Sequence, residues 1–153
     1  MDNIDFKMQK SKVEDIYTHL LNIDTDIIPK LSSSVNLEEF SKKVFDNTIR
    51  FEAWHTDKLI GLISVYYNDF DTRIGFINHV GVLREYRGFR ISDTLLTSAV
   101  RYGSDKGFKS LKLEVSEESN AAKQLYVKHG FKVEKINNTA VKMYKNLNNG
   151  EIK

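Results

Sequence analysis

The stretch VGVLREYRGFRISDTLL, residues 80–96, sets the architecture. It opens apolar, as a strand does, turns through a basic segment containing Gly88, and resumes with Ile91, Leu95 and Leu96 at helical spacing. A strand that runs through a short turn into a helix belongs to an α/β domain. The N–H groups that open such a helix lack partners and carry partial positive charge, so the turn suits a diphosphate. Gly88 tolerates positive φ and lets main chain approach an anion closely. Arg84, Arg87 and Arg90 add full positive charges to the same turn. Spacing alone fits equally well a basic loop that merely joins a strand to a helix.

On the N-terminal side, residues 73–83 and 59–67 (LIGLISVYY) read as strands, and 48–56 alternates Ile49, Phe51 and Ala53 against Arg50, Glu52 and Trp54. Asp57-Lys58 is the expected turn of the hairpin between 48–56 and 59–67. Further back, Ile4 to Met8 is a short strand, and Ser11 with Glu14 fits a capping box. Behind that box Val13, Ile16, Tyr17, Leu20 and Leu21 form a helical stripe. Residues 24–35 read as loop, and Asn36 with Glu39 caps a second helix to about Phe45. On the C-terminal side the helix begun at Ile91 ends near Gly103 or Gly107, and 108–115 is a strand. Ala122, Leu125, Tyr126 and His129 then share a helical face closed by Gly130 at C′. Residues 131–136 and 139–144 are strands around Asn137-Asn138. The order βααβββαβαββ predicts a single α/β domain, with a mixed sheet and helices on its faces.

The chain has 153 residues, 41% hydrophobic and 29% charged, which suits one domain over residues 1–146 followed by a polar tail, 147–153. There is no cysteine, so disulfides and thiolate metal sites are excluded, and no metal ligand set is expected. A net charge of +2 is too balanced to announce nucleic-acid binding. The N-terminal residues form no secretory signal, and no apolar run approaches the roughly 20 residues that span a bilayer. No membrane association is expected, and a cytoplasmic location is.

A second segment, SNAAKQLYVKHGF at residues 119–131, changes the weight of the first. Together the two resemble the GNAT superfamily of acetyl-CoA-dependent N-acetyltransferases. That family's signatures have the forms V-x-P-x-Y-R-G-x-G-I-G-x-x-L-L and N-x-x-A-x-x-L-Y-x-K-x-G-F. Val82, Tyr86, Arg87, Gly88, Ile91, Leu95 and Leu96 match the first; Asn120, Leu125, Tyr126, Lys128, Gly130 and Phe131 match the second. Arg84 replaces the proline, Arg90 the glycine of the phosphate turn, and Ser92 its glycine or alanine.

The resemblance implies a mostly antiparallel sheet flanked by about four helices, with acetyl-CoA as co-substrate. It implies main-chain donors to the cofactor from about His79 to Leu83, with Val80, Val82 and Leu83 among the contacts. The diphosphate is then held by Arg87, Gly88, Phe89, Arg90, Ile91 and Ser92, and Asn120 also binds cofactor. Tyr126 stands where the family hydrogen-bonds or protonates the coenzyme A sulfur. Relatives carry Glu-Asp where this chain has Asn78-His79, so the base is open. His79 titrates near neutrality, and Asn78 can only orient a water. His79 under a helix is the structural alternative; Glu52, His55 and Glu114 are weaker candidates. If the strand is regular, Phe76, Asn78, Val80 and Val82 share a face, which a bulge near Val80 would break.

The acceptor side carries Trp54, Tyr66, Tyr67, Phe70 and Phe76, aromatics that can line a small-molecule pocket but at strand spacing are more often core, with loop 24–35 as a flap on position alone. The acceptor is an amine of a small molecule or protein, and a homodimer is left open. The competing reading is an acyl-CoA sensor of the same fold without catalysis.

Overall fold

The computed structural model describes residues 3–27 and 29–147. The strands are β1 (Ile4–Met8), β2 (Ile49–His55), β3 (Lys58–Tyr66), β4 (Ile74–Val82), β5 (Ser110–Ser116), β6 (Lys132–Asn137) and β7 (Ala140–Asn146). The helices are α1 (Val13–Ile23), α2 (Leu37–Asn47), α3 (Ile91–Asp105) and α4 (Asn120–Lys128). They build a seven-stranded sheet in the order β1-β2-β3-β4-β5-β7-β6. Only β4 and β5 pair in parallel, because α3 carries the chain back across the sheet between them.

Both sheet faces are covered. A Cβ at Gly61 would lie 3.0 Å from Ile91 and 3.3 Å from Leu95 of α3, whereas one at Gly81 would lie 2.6 Å from Ile23 of α1. Gly61 pairs with Val82, the neighbour of Gly81, so α1 and α3 lie on opposite faces. This burial overturns the alternation expected for β2. Its polar row is as buried as its apolar one, with Arg50 at 3% and Glu52 at 0% exposure. The row is tolerated because it is hydrogen-bonded: Glu52 accepts from the Lys10 and Ser11 amides, the Ser11 hydroxyl at 2.5 Å, Arg50 Nε at 3.3 Å and Trp54 Nε1 at 3.0 Å.

That network also corrects the expected capping box. Ser11 is drawn to Glu52, α1 starts at Val13, and it is Asp15 that accepts the Lys12 amide at 2.9 Å. The buried face of α1 is Ile16, His19, Leu20 and Ile23, while Leu21 is half exposed. Asn36 caps α2 as expected, accepting the Glu39 amide at 2.9 Å. The β2–β3 turn falls one residue early, at Thr56-Asp57, since His55 pairs with Lys58. Gly130 closes α4 with φ +91, in the left-handed region. Leu147 is buried and its amide donates to Lys109 O at 2.8 Å, so packing extends one residue into the expected tail; residues 148–153 lie outside the described ones.

Candidate active site

The site begins where the sheet comes apart. β4 and β5 pair only at Ile74↔Ser110, Gly75↔Leu111 and Phe76↔Lys112. Beyond Phe76 the strands diverge, and the outer edge of β4 faces a cleft instead of a strand. One part of the cleft lies between Ile77–Val80 and Leu113–Ser116, with Asp26, Ile27 and Leu31 of loop 24–35 and Tyr126 of α4 on its walls. The adjoining part, about 580 Å³, runs past Val80–Val82, Ser92 and Glu118–Ala122. Loop 24–35 therefore does reach the cleft. Trp54, Tyr66, Tyr67, Phe70 and Phe76 do not line either part. Trp54 and Tyr67 are core residues whose polar tips are used, Trp54 by Glu52 and Tyr67 by Ala99 O at 2.8 Å.

At the foot of the cleft, Leu83–Arg90 leads from β4 into α3. A hollow of about 250 Å³ is bounded by Val82, Tyr86, Arg87, Gly88 and Arg90–Asp93. The first amides of α3, from Ile91 to Asp93, have no carbonyl one helical turn behind them, and Thr94 is the first to bond back, to Arg90 O at 3.1 Å. Gly88 has φ +88 and nothing within 4 Å of a Cβ position. Arg90 has φ 62 and ψ 24, which explains why the resembling family carries glycine there. The arginine accepts a left-handed strain of about 1–2 kcal/mol, and its exposed side chain leaves the corner open.

Two of the turn's three arginines, one of them the expected phosphate contact Arg87, are otherwise engaged. Arg84 and Arg87 both hold Asp26, Arg87 at 3.0 Å, and Arg87 Nε also donates to Val82 O at 3.0 Å. The Arg84 contact holds the Asp26 carboxyl below the usual carboxylate range. Leu83 is corrected too: its amide bonds Ile60 O at 2.8 Å and its side chain is buried, so it offers no donor to the cleft. Phe89 is exposed at 47% and bounds neither the hollow nor the cleft.

Tyr126 is 6% exposed, stands edge-to-face on Phe131, and borders both parts of the cleft. Burial pushes its hydroxyl pKa up, so it stays protonated. Asn120 is the first residue of α4 and is exposed, whereas Ser119 is the N-cap and borders both parts of the cleft. Counted back from Tyr126, the motif's asparagine falls on Ser119, one residue before the position expected. Asp93 ties α3 to the end of α4, accepting from His129 Nε2 at 2.8 Å and pairing with Lys128 at 3.1 Å.

The bulge in β4 lies at Asn78. Ser64 pairs with His79 and Val65 with Ile77, so Asn78 is the extra residue. The expected shared face is thereby broken: Asn78 and His79 both turn toward the α1 side, with the Ser64 hydroxyl donating to Asn78 Oδ1, while Ile77, Val80 and Val82 face α3. His79 is buried against α1 on the face opposite Val80 and Val82, as the structural alternative has it, and it also borders the cleft. Its Nε2 lies 3.1 Å from Nε2 of His19, whose Nδ1 is 3.3 Å from Leu59 O. The missing Cβ at Gly81 permits this, since it would sit 2.9 Å from His79 Nε2. His19 escaped the sequence reading because a histidine in a core stripe scores as polar. Of the weaker base candidates, Glu114 borders the cleft, His55 bonds Tyr86 OH at 2.6 Å and Glu52 is fully engaged.

Desolvation lowers the His19 pKa to about 4, and burial with the neighbouring His19 lowers that of His79 well below its ordinary value. Both rings are neutral in the folded protein near pH 7. Folded values below unfolded ones mean that the unfolded chain binds more protons as pH falls, so stability is full above about pH 6.5 and declines below it. His19 alone is expected to remove on the order of 2 kcal/mol between pH 7 and pH 5. Urea unfolding at both pH values, in wild type and His19→Gln, measures this; equal pH slopes in the two proteins contradict it.

A strand pair forced open beside a helix N-terminus, with arginines and an exposed amide row at the turn, forms a cleft of the kind that suits a phosphate-bearing chain. Residues 14–131 match the model of the acetyltransferase (GNAT) family, and the chain belongs to that family. Among solved structures it is similar to PaiA N-acetyltransferase from Thermoplasma acidophilum in complex with coenzyme A, at 19% identity and TM-score 0.71, covering 93% of this chain and 99% of that one. It is similar to the ribosomal-protein-S18-alanine N-acetyltransferase from Escherichia coli, at 13% identity and TM-score 0.74, covering 94% of each. A spermidine N-acetyltransferase chimera from Vibrio cholerae shares 21% identity and TM-score 0.73, covering 95% of this chain and 96% of that one. No curated protein matches the sequence significantly. The protein is an N-acetyltransferase of this family, and the mostly antiparallel sheet with four helices is the family's fold.

Proposed function

We propose that the protein moves an acetyl group directly from acetyl-CoA to an amine. The observation that carries this is the open amide row of Ile91–Asp93, beside a left-handed Arg90 and at the foot of the β4–β5 cleft. Those amides, Gly88, Arg90 and Ser92 grip the diphosphate, with Val80 and Val82 on the β4 edge and Ser119 and Asn120 on the α4 side of the cofactor arm. Acetyl-CoA supplies the activated acyl group. Tyr126 donates a hydrogen bond to the departing sulfur. Its raised pKa, well above that of a thiol, makes it a donor that keeps its proton rather than one that gives it up.

The acceptor enters from the other part of the cleft. The similar proteins named for spermidine and for a ribosomal-protein alanine bracket the acceptor class, a small polyamine-like molecule or a protein N-terminus. Thiol release measured with acetyl-CoA and a panel of both kinds of amine tests the reading. A protein that binds acetyl-CoA but releases no thiol with any of them is a sensor, not an enzyme.

Arg90→Gly separates backbone from charge at the turn. Relief of about 1 kcal/mol of strain offsets the roughly 0.5–1 kcal/mol that glycine adds to the unfolded chain's freedom, so the melting temperature is expected to stay level or rise slightly. Coenzyme A affinity is expected to fall about tenfold as a charged phosphate contact is lost. Calorimetry showing equal or tighter binding by the glycine variant removes Arg90 from the grip.

A further inference from the structure

The His19–His79 pair does more than fill space. We propose that His79 Nδ1 receives the proton of the acceptor amine and that His19 is the positioning residue that fixes the ring form making Nδ1 available. This rests on the acyl-transfer reading above.

The tautomers follow from the contacts. Leu59 O can only accept, so His19 Nδ1 carries the hydrogen of that bond. A neutral His19 then has a lone pair on Nε2, directed at His79 Nε2. Two lone pairs do not face each other at 3.1 Å, so His79 Nε2 carries the second hydrogen. A neutral His79 has no further N–H, and its Nδ1 is left as a base. Among the described residues no other group bonds His79 and no buried polar side-chain atom lacks a partner, so Nδ1 opens to the cleft that His79 borders. Burial keeps both rings neutral, and so able to accept, at pH 7.

The arrangement is that of a base oriented by a third group. The groups facing His79 are His19 from α1, Asn78 on its own strand, Asp26 from the loop, Glu114 from β5 and Tyr126 from α4. Around His19 the outer surface carries Asp15, Asp57 and Lys58. Of the groups in the cleft, Asn78 cannot take a proton, Asp26 is committed to two arginines, and Glu114 is exposed.

In the step itself the amine nitrogen bonds the acetyl carbon, the carbon–sulfur bond breaks, and its electron pair leaves on sulfur. The proton lost by nitrogen goes to His79 Nδ1. The imidazolium so formed holds a stronger, charge-assisted bond to His19 Nε2. His79 returns its proton to solvent while the thiolate takes one up, so amide and thiol form with no net change in protons. The proton does not pass on through His19, because Leu59 O cannot accept it.

Long-range ¹H–¹⁵N correlation spectra of the histidine rings in the wild-type protein test the tautomers without any variant. The expected result is Nδ1–H at His19 and Nε2–H at His79; an Nδ1–H form of His79 overturns the proposal. In turnover, His79→Gln is expected to lower kcat about 100-fold and remove the acid limb of the pH profile. His19→Leu, which takes away the acceptor, is expected to lower kcat about tenfold with KM for acetyl-CoA unchanged, and His19→Gln, whose amide can donate to Leu59 and accept from His79, to restore most of it. Equal kcat in wild type, His79→Gln and His19→Leu overturns the assignment while leaving acyl transfer intact. Wild-type protein that shows the expected tautomers but acetylates no amine overturns the acyl-transfer reading itself, and the proton step with it.

Discussion

Glu52→Ala is expected to cost about 3–5 kcal/mol of folding stability, because it leaves a buried guanidinium without its counter-charge. Arg50 is 3% exposed and Glu52 fully buried. Arg50 would keep its bonds to the Ser11 hydroxyl at 2.7 Å, to Ser11 O at 3.0 Å and to Phe45 O at 3.2 Å, but with nothing to balance its charge. The Ser11 amide and Trp54 Nε1 would lose their acceptor at the same time. The paired replacement Arg50→Met with Glu52→Leu removes both charges and is expected to be much milder than the single change. Chemical unfolding of the three proteins decides it; a Glu52→Ala loss below about 1 kcal/mol would mean that the network is not balanced by this pair. The consequence extends to function, since the same carboxylate holds the Lys10 and Ser11 amides just ahead of α1, the helix that carries His19.

Tyr126→Phe is expected to lower kcat by about 100-fold while leaving KM for acetyl-CoA within about threefold, the signature of a bond made as the sulfur departs. The phenylalanine keeps the edge-to-face contact with Phe131, so the melting temperature should not move. An unchanged kcat means that the hydroxyl takes no part in the chemistry, and a matched rise in KM would assign it to cofactor binding instead.

Most of the fold was legible because its elements carry their own signals. The apolar run LIGLISV became the interior strand β3, and the Asn36 cap and the Gly130 terminator stand where their chemistry requires. The turn into α3 was legible for the same reason: a helix start after a glycine-bearing loop is local. What the sequence concealed is what two distant segments do together. Ser11 looked like a cap until Glu52, which pairs with Lys7 of β1, claimed it. Arg84 and Arg87 looked like free cations until Asp26 folded over them. The bulge at Asn78 has no marker of its own, yet it turns His79 toward His19. Arg90 was read as a departure from glycine; its backbone angles are nonetheless those that glycine usually supplies.

Among the described residues, three ladder pairs join β4 to β5, and only the bonds from the Lys109 and Ser110 amides to Arg73 O extend this seam between strands β1–β4 and strands β5–β7. Such a joint is the natural line of fission. Amides on either side of it should exchange with solvent ahead of those in β2 and β3, and a chain cut between the two groups is the split most able to reassemble from its pieces. A molecule lodged across the gap then acts as a clasp, so substrate binding and resistance to unfolding should rise together.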